Sequence, residues 1–268
     1  MRLSAFLRTW LIAGMFFLYM PIVVLIGTSF NASRLMTQWT GFSLRWYVAL
    51  LHDSQLIDAA LLSLRIALIA ATLATILGGL AGFALARLPQ LRGRRVLAGM
   101  LAAPLVLPDL LIGLALLLLF VATEMLTGFP RGRGTGTVAI SHATMCLAYV
   151  AVVVEGRLTA TGTTLEQAAM DLGAGPATAF LRITLPLMAP ALLSGWLLAF
   201  TLSLDDVVVA SFTSGPGATT LPMVVYSTLR LGPTPVLNAL ATVILLLATT
   251  VLGIVWALSR RRRCTSGR

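Results

Sequence analysis

Six apolar stretches, each long enough to cross a lipid bilayer as a helix, dominate this sequence. The hydrocarbon layer is about 30 Å thick, and an α-helix spans it in about 20 residues. In hydrocarbon every backbone N–H and C=O must be hydrogen-bonded within the protein, and a helix does so within one segment. The stretches therefore predict an all-α, polytopic membrane protein that forms a single domain of residues 1–268. The predicted transmembrane helices are 10–30, 59–86, 96–122, 136–158, 187–212 and 235–258.

The second of these helices carries a small residue at every fourth position, which places the small residues on one face. A face of this kind lets a neighbouring helix approach closely in a membrane. We therefore expect this helix to be buried and tightly packed. The residues are Ala70, Ala74, Gly78, Gly82 and Ala86.

The charged residues exclude several classes of protein. All 19 basic residues are Arg, so the chain lacks the Lys of a phosphate-binding P-loop and the Lys of a Schiff-base enzyme. Its net charge of +10 does not indicate nucleic-acid binding, because the arginines lie beside apolar stretches and form no continuous basic face. Cys146, Cys264, His52 and His142 are too scattered to form a disulfide framework or a metal site. We therefore expect neither a bound cofactor nor a metal.

The arginines also predict the orientation of the helices. With the N-terminus in the cytoplasm, thirteen arginines fall on cytoplasmic segments, five on external segments, and Arg65 falls within the second span. Basic residues accumulate in the cytoplasmic loops of membrane proteins. We therefore expect both termini and the polar segment 163–186 in the cytoplasm, and the loop around Trp46 outside.

Segment 163–186 begins with the local signals of a short helix. Thr163 and Glu166 are spaced as a capping box, in which each side chain accepts a hydrogen bond from the backbone N–H of the other residue. Gly173 is suited to end this helix as its C-terminal cap. The helix has one apolar face, formed by Leu165, Ala168, Ala169 and Leu172.

A second short helix follows in the same segment. Pro176 is preorganised for the first turn of a helix, and we expect Pro186 to end it. Its small apolar face is formed by Ala177, Phe180 and Leu181. Helices this short are not stable alone, so they need a surface to pack on, and that surface can belong to another protein.

The spacing in this segment resembles the cytoplasmic signature of the permease subunits of bacterial ATP-binding-cassette importers. The signature reads Gln167-Ala168-Ala169, three residues, Gly173, nine residues, and Ile183-Thr184-Leu185-Pro186. The family has Glu at the first position, whereas this chain has Gln167 there and Glu166 one position earlier. Both Glu166 and Asp171 are candidates for the contact of the missing Glu. Residues 103–113, 200–222 and 232–242 resemble the subfamily that imports spermidine and putrescine.

The resemblance implies a type I importer permease fold and an assembly in the bacterial inner membrane. Its other members would be a second similar permease, two cytoplasmic ATPase subunits that bind the ATP, and an external solute-binding protein. Segment 163–186 would dock on an ATPase and transmit its closure to the membrane helices. The residues implied in this coupling are Glu166, Gln167, Ala168, Ala169, Asp171, Gly173, Leu185 and Pro186.

Three charged residues of the fifth and second spans are candidates for function, since an ionisable group at membrane depth is costly. Asp205 and Asp206 occupy adjacent positions, which point about 100° apart on a helix. We therefore expect one carboxylate to face the substrate pathway and the other to have a structural partner. Arg65 lies at a similar predicted depth and is the expected partner in an ion pair.

Asp109 lies about thirteen residues into the predicted third span, directly after Pro108. A polyamine carries separated ammonium groups, so its pathway needs carboxylates at several depths and aromatic faces for cation–π contact. Asp109 and the Asp205/Asp206 pair are candidates for the carboxylates. Trp46 and Tyr47 are candidates for the aromatic faces, or alternatively anchors at the external membrane surface.

Two other functions fit parts of this pattern. An ion-coupled secondary transporter would also have six spans with buried carboxylates, but it would have no use for an ATPase-docking segment. A permease of the same importer class for another cationic solute would share every feature. An enzyme is disfavoured, because no nucleophile and base occur at a useful spacing.

Overall fold

The computed structural model describes residues 5–34, 38–232 and 234–265. The termini at 1–4 and 266–268, on which part of the orientation prediction rests, lie outside the described residues. The helices are α1 (Ala5–Ser29), α2 (Arg45–His52), α3 (Ser54–Arg87), α4 (Arg94–Val106), α5 (Asp109–Thr127), α6 (Thr135–Thr161), α7 (Thr164–Asp171), α8 (Pro176–Ala179), a π-helical turn (Phe180–Thr184), α9 (Leu185–Asp205), α10 (Val208–Thr213), α11 (Leu221–Leu231) and α12 (Pro235–Thr265).

Among the described residues, five helical segments are long and apolar enough to cross a membrane. These are α1, α3, α5, α6 and the continuous run of α8, the π-helical turn and α9. The last helix, α12, is apolar over Pro235–Thr250. The prediction of an all-α, polytopic membrane protein is confirmed. The amphipathic helix α11 lies between the predicted fifth and sixth spans, where no helix was predicted.

The predicted third span, 96–122, is not one helix. Helix α4 ends at Val106, α5 begins at Asp109, and the backbone of the two residues between them is extended. Pro108 has no N–H to donate and disfavours helical backbone in the residue before it, so the helix ends there. Asp109 is therefore the first residue of α5, and its predicted place in the middle of one long helix is wrong.

The predicted fifth span, 187–212, begins earlier than expected. Helical structure is continuous over Pro176–Asp205, so the prediction that Pro186 ends the preceding helix is wrong. The π-helical turn Phe180–Thr184 comes just before this proline. In a π-helical turn the backbone ladder is already shifted, and this shift accommodates the proline ring and its missing N–H.

The same span also ends early. Helix α9 stops at Asp205, Asp206 has extended backbone, and the short helix α10 starts at Val208. Asp205 and Asp206 are therefore not two positions of one helix. We refer to residues 107–108, between α4 and α5, as the α4–α5 break, and to residues 206–207, between α9 and α10, as the α9–α10 break.

The chain divides into two compact units, of which the larger is Asp58–Tyr226. Helix α6 lies at its centre and packs against α4, α5, α9 and α10. It also meets the small-residue face of α3, where an added Cβ at Gly78 would lie 2.6 Å from the carbonyl oxygen of Leu147. The same addition at Gly82 would lie 2.5 Å from the carbonyl oxygen of Ala151. The predicted close packing of this face is confirmed.

The other unit is formed by Met1–Ile57 and Ser227–Arg268. In it α12 packs against α1 and α2. The Asn31 side chain organises the turn after α1, because its Nδ2 donates to the Gln38 carbonyl at 2.7 Å and its Oδ1 accepts from the Thr40 N–H at 3.1 Å. This turn positions the start of α2.

Candidate functional site

The two helix breaks of the larger unit bring the predicted carboxylates together. Asp109 directly follows the α4–α5 break, and Asp205 directly precedes the α9–α10 break. Helix α5 packs against α10, and Asp205 lies within electrostatic range of both Asp109 and Asp206. Within a membrane, non-helical backbone is tolerated where protein covers it or where it lines a water-filled cavity. The three residues form the carboxylate cluster.

Asp206 is the buried member of the carboxylate cluster. Its Oδ2 accepts a hydrogen bond from the Ala210 N–H at 2.7 Å, and its Oδ1 accepts one from the Val209 N–H at 3.3 Å. The first N–H groups of a helix have no partner within the helix, so this carboxylate caps α10. Oδ2 also lies 3.1 Å from Nε2 of His142. Asp206 is therefore a structural residue that holds the α9–α10 break in place.

His142 was not predicted as a site residue, because it is a lone histidine in the sequence. The ring is fully buried on α6, and its Nδ1 lies 2.7 Å from Oγ of Ser203 on α9. His142 thus connects three elements of the fold at one point. A titratable side chain in the middle of an apolar span was the available signal, since such residues are costly in a membrane and need a named partner.

Asp205 and Asp109 differ from Asp206 because their side chains are exposed. The predicted ion pair with Arg65 is wrong, because the partner of Asp206 is His142. Arg65 is exposed, and among the described residues no carboxylate lies within 4.0 Å of its guanidinium. Among the described residues, the cluster therefore has two exposed carboxylates without a basic partner. The third carboxylate, that of Asp206, is bonded within the protein.

Trp46 and Tyr47 lie in the smaller unit and are both engaged within it. The Trp46 indole N–H donates to the carbonyl oxygen of Asn31 at 2.7 Å, and the Arg45 guanidinium carbon lies 4.0 Å from the centre of its ring. The face expected to receive a substrate ammonium is thus occupied by a cation of the same chain. The Tyr47 hydroxyl lies 2.7 Å from Oγ of Ser29.

The turn within segment 163–186 forms as its local signals predict. Helix α7 ends at Asp171, and Gly173 follows with φ +88°. The Gly173 N–H donates to the Met170 carbonyl at 2.9 Å and the Ala174 N–H to the Ala169 carbonyl at 3.0 Å, which is the hydrogen-bond pattern of a Schellman motif. The predicted cap at Gly173 is confirmed. Pro176 begins α8 in the same way as predicted.

The predicted capping box is wrong. Helix α7 does begin at Thr164, but the Thr163 side chain makes no capping hydrogen bond. The Glu166 carboxylate is buried and pairs with Arg87, with 3.0 Å between Nε and Oε1. It also accepts a hydrogen bond from the Thr184 hydroxyl at 3.0 Å. An ion pair with a guanidinium is stronger than a hydrogen bond to an exposed backbone N–H, and it takes the carboxylate away from the cap.

Arg87 makes further contacts at this junction. Its guanidinium donates to the carbonyl oxygen of Leu158 at 2.9 Å and to that of Gly162 at 2.6 Å. One side chain therefore joins the end of α3, the end of α6, helix α7 and, through Thr184, the π-helical turn. We call the contacts among Arg87, Glu166 and Thr184 the junction cluster.

Most of segment 163–186 outside the junction cluster lies at the surface. The side chain of Leu172, just after α7, is 90% exposed, and that of Leu165 is 55% exposed. Two leucines as exposed as these favour a surface that another molecule covers. The residues implied in the coupling that are exposed are Gln167, Ala168, Asp171, Gly173, Leu185 and Pro186, and Ala169 is half-buried.

The comparison with known protein families identifies the class. Residues 74–263 match the model of the binding-protein-dependent transport system inner membrane component. The chain belongs to this family of multi-pass membrane components of transport systems, and the resemblance stated from its sequence is confirmed.

Two curated relatives show which members of this family the chain is similar to. The chain is 53% identical over 251 residues to the putrescine transport system permease protein PotI of Escherichia coli (strain K12), covering 94% of this chain and 89% of PotI. It is 42% identical over 245 residues to the spermidine/putrescine transport system permease protein PotC of Haemophilus influenzae (strain ATCC 51907 / DSM 11121 / KW20 / Rd), covering 91% of this chain and 93% of PotC.

The fold is also similar to that of a solved structure. A chain of a bacterial ABC transporter involved in the import of the acidic polysaccharide alginate superimposes with a TM-score of 0.66. The similarity covers 95% of this chain and 94% of the other at 16% sequence identity. At this identity the likeness concerns the fold alone.

Proposed function

We propose that this chain is the permease subunit of an ATP-driven importer and that, with a second permease, it forms the membrane path for putrescine or spermidine. ATP is bound and hydrolysed by two partner ATPase subunits, and a solute-binding protein delivers the polyamine from outside. The names of PotI and PotC support this substrate class. In the orientation that we propose, both termini and segment 163–186 lie in the cytoplasm. Reporter fusions at Arg92 and at Gly215 are expected to report opposite sides of the membrane.

The observation that carries the substrate class is the exposed pair of carboxylates at the two helix breaks. Asp109 and Asp205 have no basic partner within 4.0 Å among the described residues. A carboxylate without a counter-ion is costly at membrane depth. An ammonium group supplies that counter-ion each time a substrate passes, so the site favours cationic solutes. Asp206 contributes by holding the α9–α10 break next to Asp205.

The coupling role rests on the surface of α7. Leu165 and Leu172 are too exposed for a helix that packs only on its own chain, and an apolar groove of an ATPase subunit fits them. Of the two candidates for the missing motif Glu, Asp171 is exposed whereas Glu166 is buried in the junction cluster. We therefore assign the ATPase contact to Asp171 and an internal role to Glu166.

The junction cluster provides the path from the docked helix to the membrane. A displacement of α7 acts on Glu166 and, through the Arg87 guanidinium, on the ends of α3 and α6. The Thr184 hydroxyl carries the same displacement to the start of α9. Because charged hydrogen bonds of this kind are short and directional, the four elements move together when the ATPases close.

The test is uptake of labelled putrescine and spermidine by proteoliposomes that contain the transporter purified with its partner subunits. We expect uptake to require ATP, and Asp109→Asn and Asp205→Asn to lower it at least about tenfold, the equivalent of one charge-assisted contact. Asp58→Asn is the matched control, because Asp58 is an exposed carboxylate at the start of α3. Uptake without any ATPase partner would instead identify an ion-coupled transporter. Unchanged uptake by both cluster variants would refute the pathway.

A further inference from the structure

A cleft between the end of α5 and the start of α6 has no part in the proposed transport path. It has a volume of about 560 Å³ and lies where α5 ends, at Thr127, and α6 begins, at Thr135. Its walls are apolar along the two helices, where Leu119, Phe120 and Ile140 line it. Leu119 is 54% exposed and Ile140 44% exposed. Both helices span the membrane, so the apolar part of the cleft opens toward the hydrocarbon.

The rim of the cleft is basic. Arg131 and Arg133, in the loop that joins the two helices, line it with exposed side chains. Among the described residues no carboxylate lies within 4.0 Å of either guanidinium. The Glu124 carboxylate lies at the same loop, because its Oε1 accepts a hydrogen bond from the Gly132 N–H at 2.8 Å. The rim therefore carries two guanidinium groups against one carboxylate and is basic overall.

The loop that carries these arginines is held in a defined position. An added Cβ at Gly215 would lie 2.0 Å from the carbonyl oxygen of Arg133, so the two loops touch along their backbones. The Thr137 hydroxyl donates to the carbonyl oxygen of Thr213 at 2.7 Å and ties the start of α6 to the end of α10. The basic rim thus keeps its place over the apolar walls.

We propose that this cleft binds a phospholipid with an anionic headgroup. An apolar wall open to hydrocarbon matches an acyl chain, and a basic rim at the end of the spans matches a phosphate, because basic residues near a membrane surface attract anionic headgroups. Guanidinium groups are suited to phosphate because they bind it through two parallel hydrogen bonds. A soluble partner would meet only the rim and leave the apolar walls empty. The cationic substrates proposed above are repelled by both arginines.

The experiment is lipid retention, measured by native mass spectrometry of the full-length protein released from nanodiscs of phosphatidylethanolamine with phosphatidylglycerol. We expect the wild type to retain phosphatidylglycerol over phosphatidylethanolamine. Arg131→Gln and Arg133→Gln together are expected to lower this retention about tenfold, since each basic residue near an anionic lipid contributes several-fold. Arg34→Gln is the control, because Arg34 is an exposed arginine in a predicted external segment and lies outside the cleft.

A second variant separates the acyl chain from the charge. Ile140→Trp fills the cleft from a half-exposed position of α6 and keeps both arginines, and we expect it to lower phosphatidylglycerol retention as well. Equal loss in Arg34→Gln, or no preference for phosphatidylglycerol in the wild type, would overturn the proposal. Loss of solute-binding-protein docking in the variant with both Arg131→Gln and Arg133→Gln, with unchanged lipid retention, would overturn the proposal and identify the rim as a protein-binding surface. Competition by inorganic phosphate with no effect of Ile140→Trp would show that the rim binds free anions only.

Discussion

Segment 163–186 and the carboxylate cluster are both parts of the proposed transport machinery, but they are held in place by different means. The turn of the segment is made by neighbours in the sequence, as the hydrogen bonds around Gly173 show. The cluster is made by residues far apart in the sequence, since Asp206 meets His142 across two helices. The conformation of the turn is therefore set by its own residues, whereas the cluster requires α5, α6, α9 and α10 to be packed.

Glu166 shows that the two kinds of organisation overlap within one segment. Its position in the sequence indicates a local cap, but its carboxylate pairs with Arg87, which lies 79 residues away. The junction cluster is therefore the tertiary part of an otherwise local motif. The following substitutions test this difference, in order of the expected effect.

Arg87→Ala is expected to have the largest effect. It leaves the Glu166 carboxylate buried without a counter-ion and two carbonyl oxygens without a donor, and breaking a buried pair in this way costs about 3–5 kcal/mol. We expect a large drop in thermal stability in detergent and loss of ATP-driven uptake. Arg92→Ala, at an exposed position of the neighbouring loop, is the control. A stable and active Arg87→Ala protein would show that segment 163–186 depends on local contacts alone.

Asp206→Ala and Asp205→Ala test the division of roles within the carboxylate cluster. Loss of the buried carboxylate removes the cap of α10 and leaves the His142 ring without its partner, at a cost of about 2–3 kcal/mol. Loss of the exposed Asp205 is expected to change stability by less than about 0.5 kcal/mol while it lowers uptake. Thermal unfolding and uptake of both variants distinguish the two roles, and equal destabilisation by both would contradict them.

Gly82→Ala tests the contact between α3 and α6 on which the larger unit is built. The added methyl group would lie 2.5 Å from the carbonyl oxygen of Ala151, and overpacking of this kind costs about 1–3 kcal/mol. Gly156→Ala is the matched control on α6, because nothing lies within 4 Å of the Cβ that it adds. We expect the melting temperature to fall for the first variant and to stay or rise for the second. The reverse order would mean that the helices do not approach at this point.

Gly173→Ala is expected to have the smallest effect on stability, about 1 kcal/mol, because φ at this position is +88° and an L side chain is strained there. Gly175→Ala, two residues on, has φ −68° and open space around its Cβ, and it should be neutral. A bulky residue at Gly173 is expected to leave membrane insertion intact and to uncouple ATP hydrolysis from uptake. Coupled uptake at the wild-type rate in that variant would refute the docking role of the segment.

Much of the fold was predictable because its signals are local. Hydropathy locates the spans, and small residues at every fourth position identified the face on which α3 meets α6. Turn chemistry identified the cap at Gly173 and the start of α8 at Pro176. Two prolines show the limit of such signals, because Pro108 ends a helix whereas Pro186 lies within one. The π-helical turn that accommodates Pro186 depends on how the ends of α3, α6 and α7 meet it, which residue type alone does not reveal.

The residues of the candidate site were predictable from the sequence, but their side-chain partners were not. The cost of a charge in hydrocarbon pointed to Asp109, Asp205 and Asp206, because the sequence places all three within apolar spans. Which carboxylate has a structural role depends on the side chain that it contacts in the folded protein. Asp206 contacts His142, and the sequence had suggested Arg65. For the same reason Arg87 could not be identified as the partner of Glu166.

The sequence by itself determined that this chain is an all-α membrane protein, where most of its helices run, and which family signature it carries, because hydrophobicity and turn propensity act over a few residues. Only the tertiary structure decided that the fifth span is broken beside its carboxylates, that Glu166 is buried in the junction cluster, and that Asp206 meets His142. Such side-chain pairs depend on distances between segments far apart in the chain, and those distances exist only once the helices have packed.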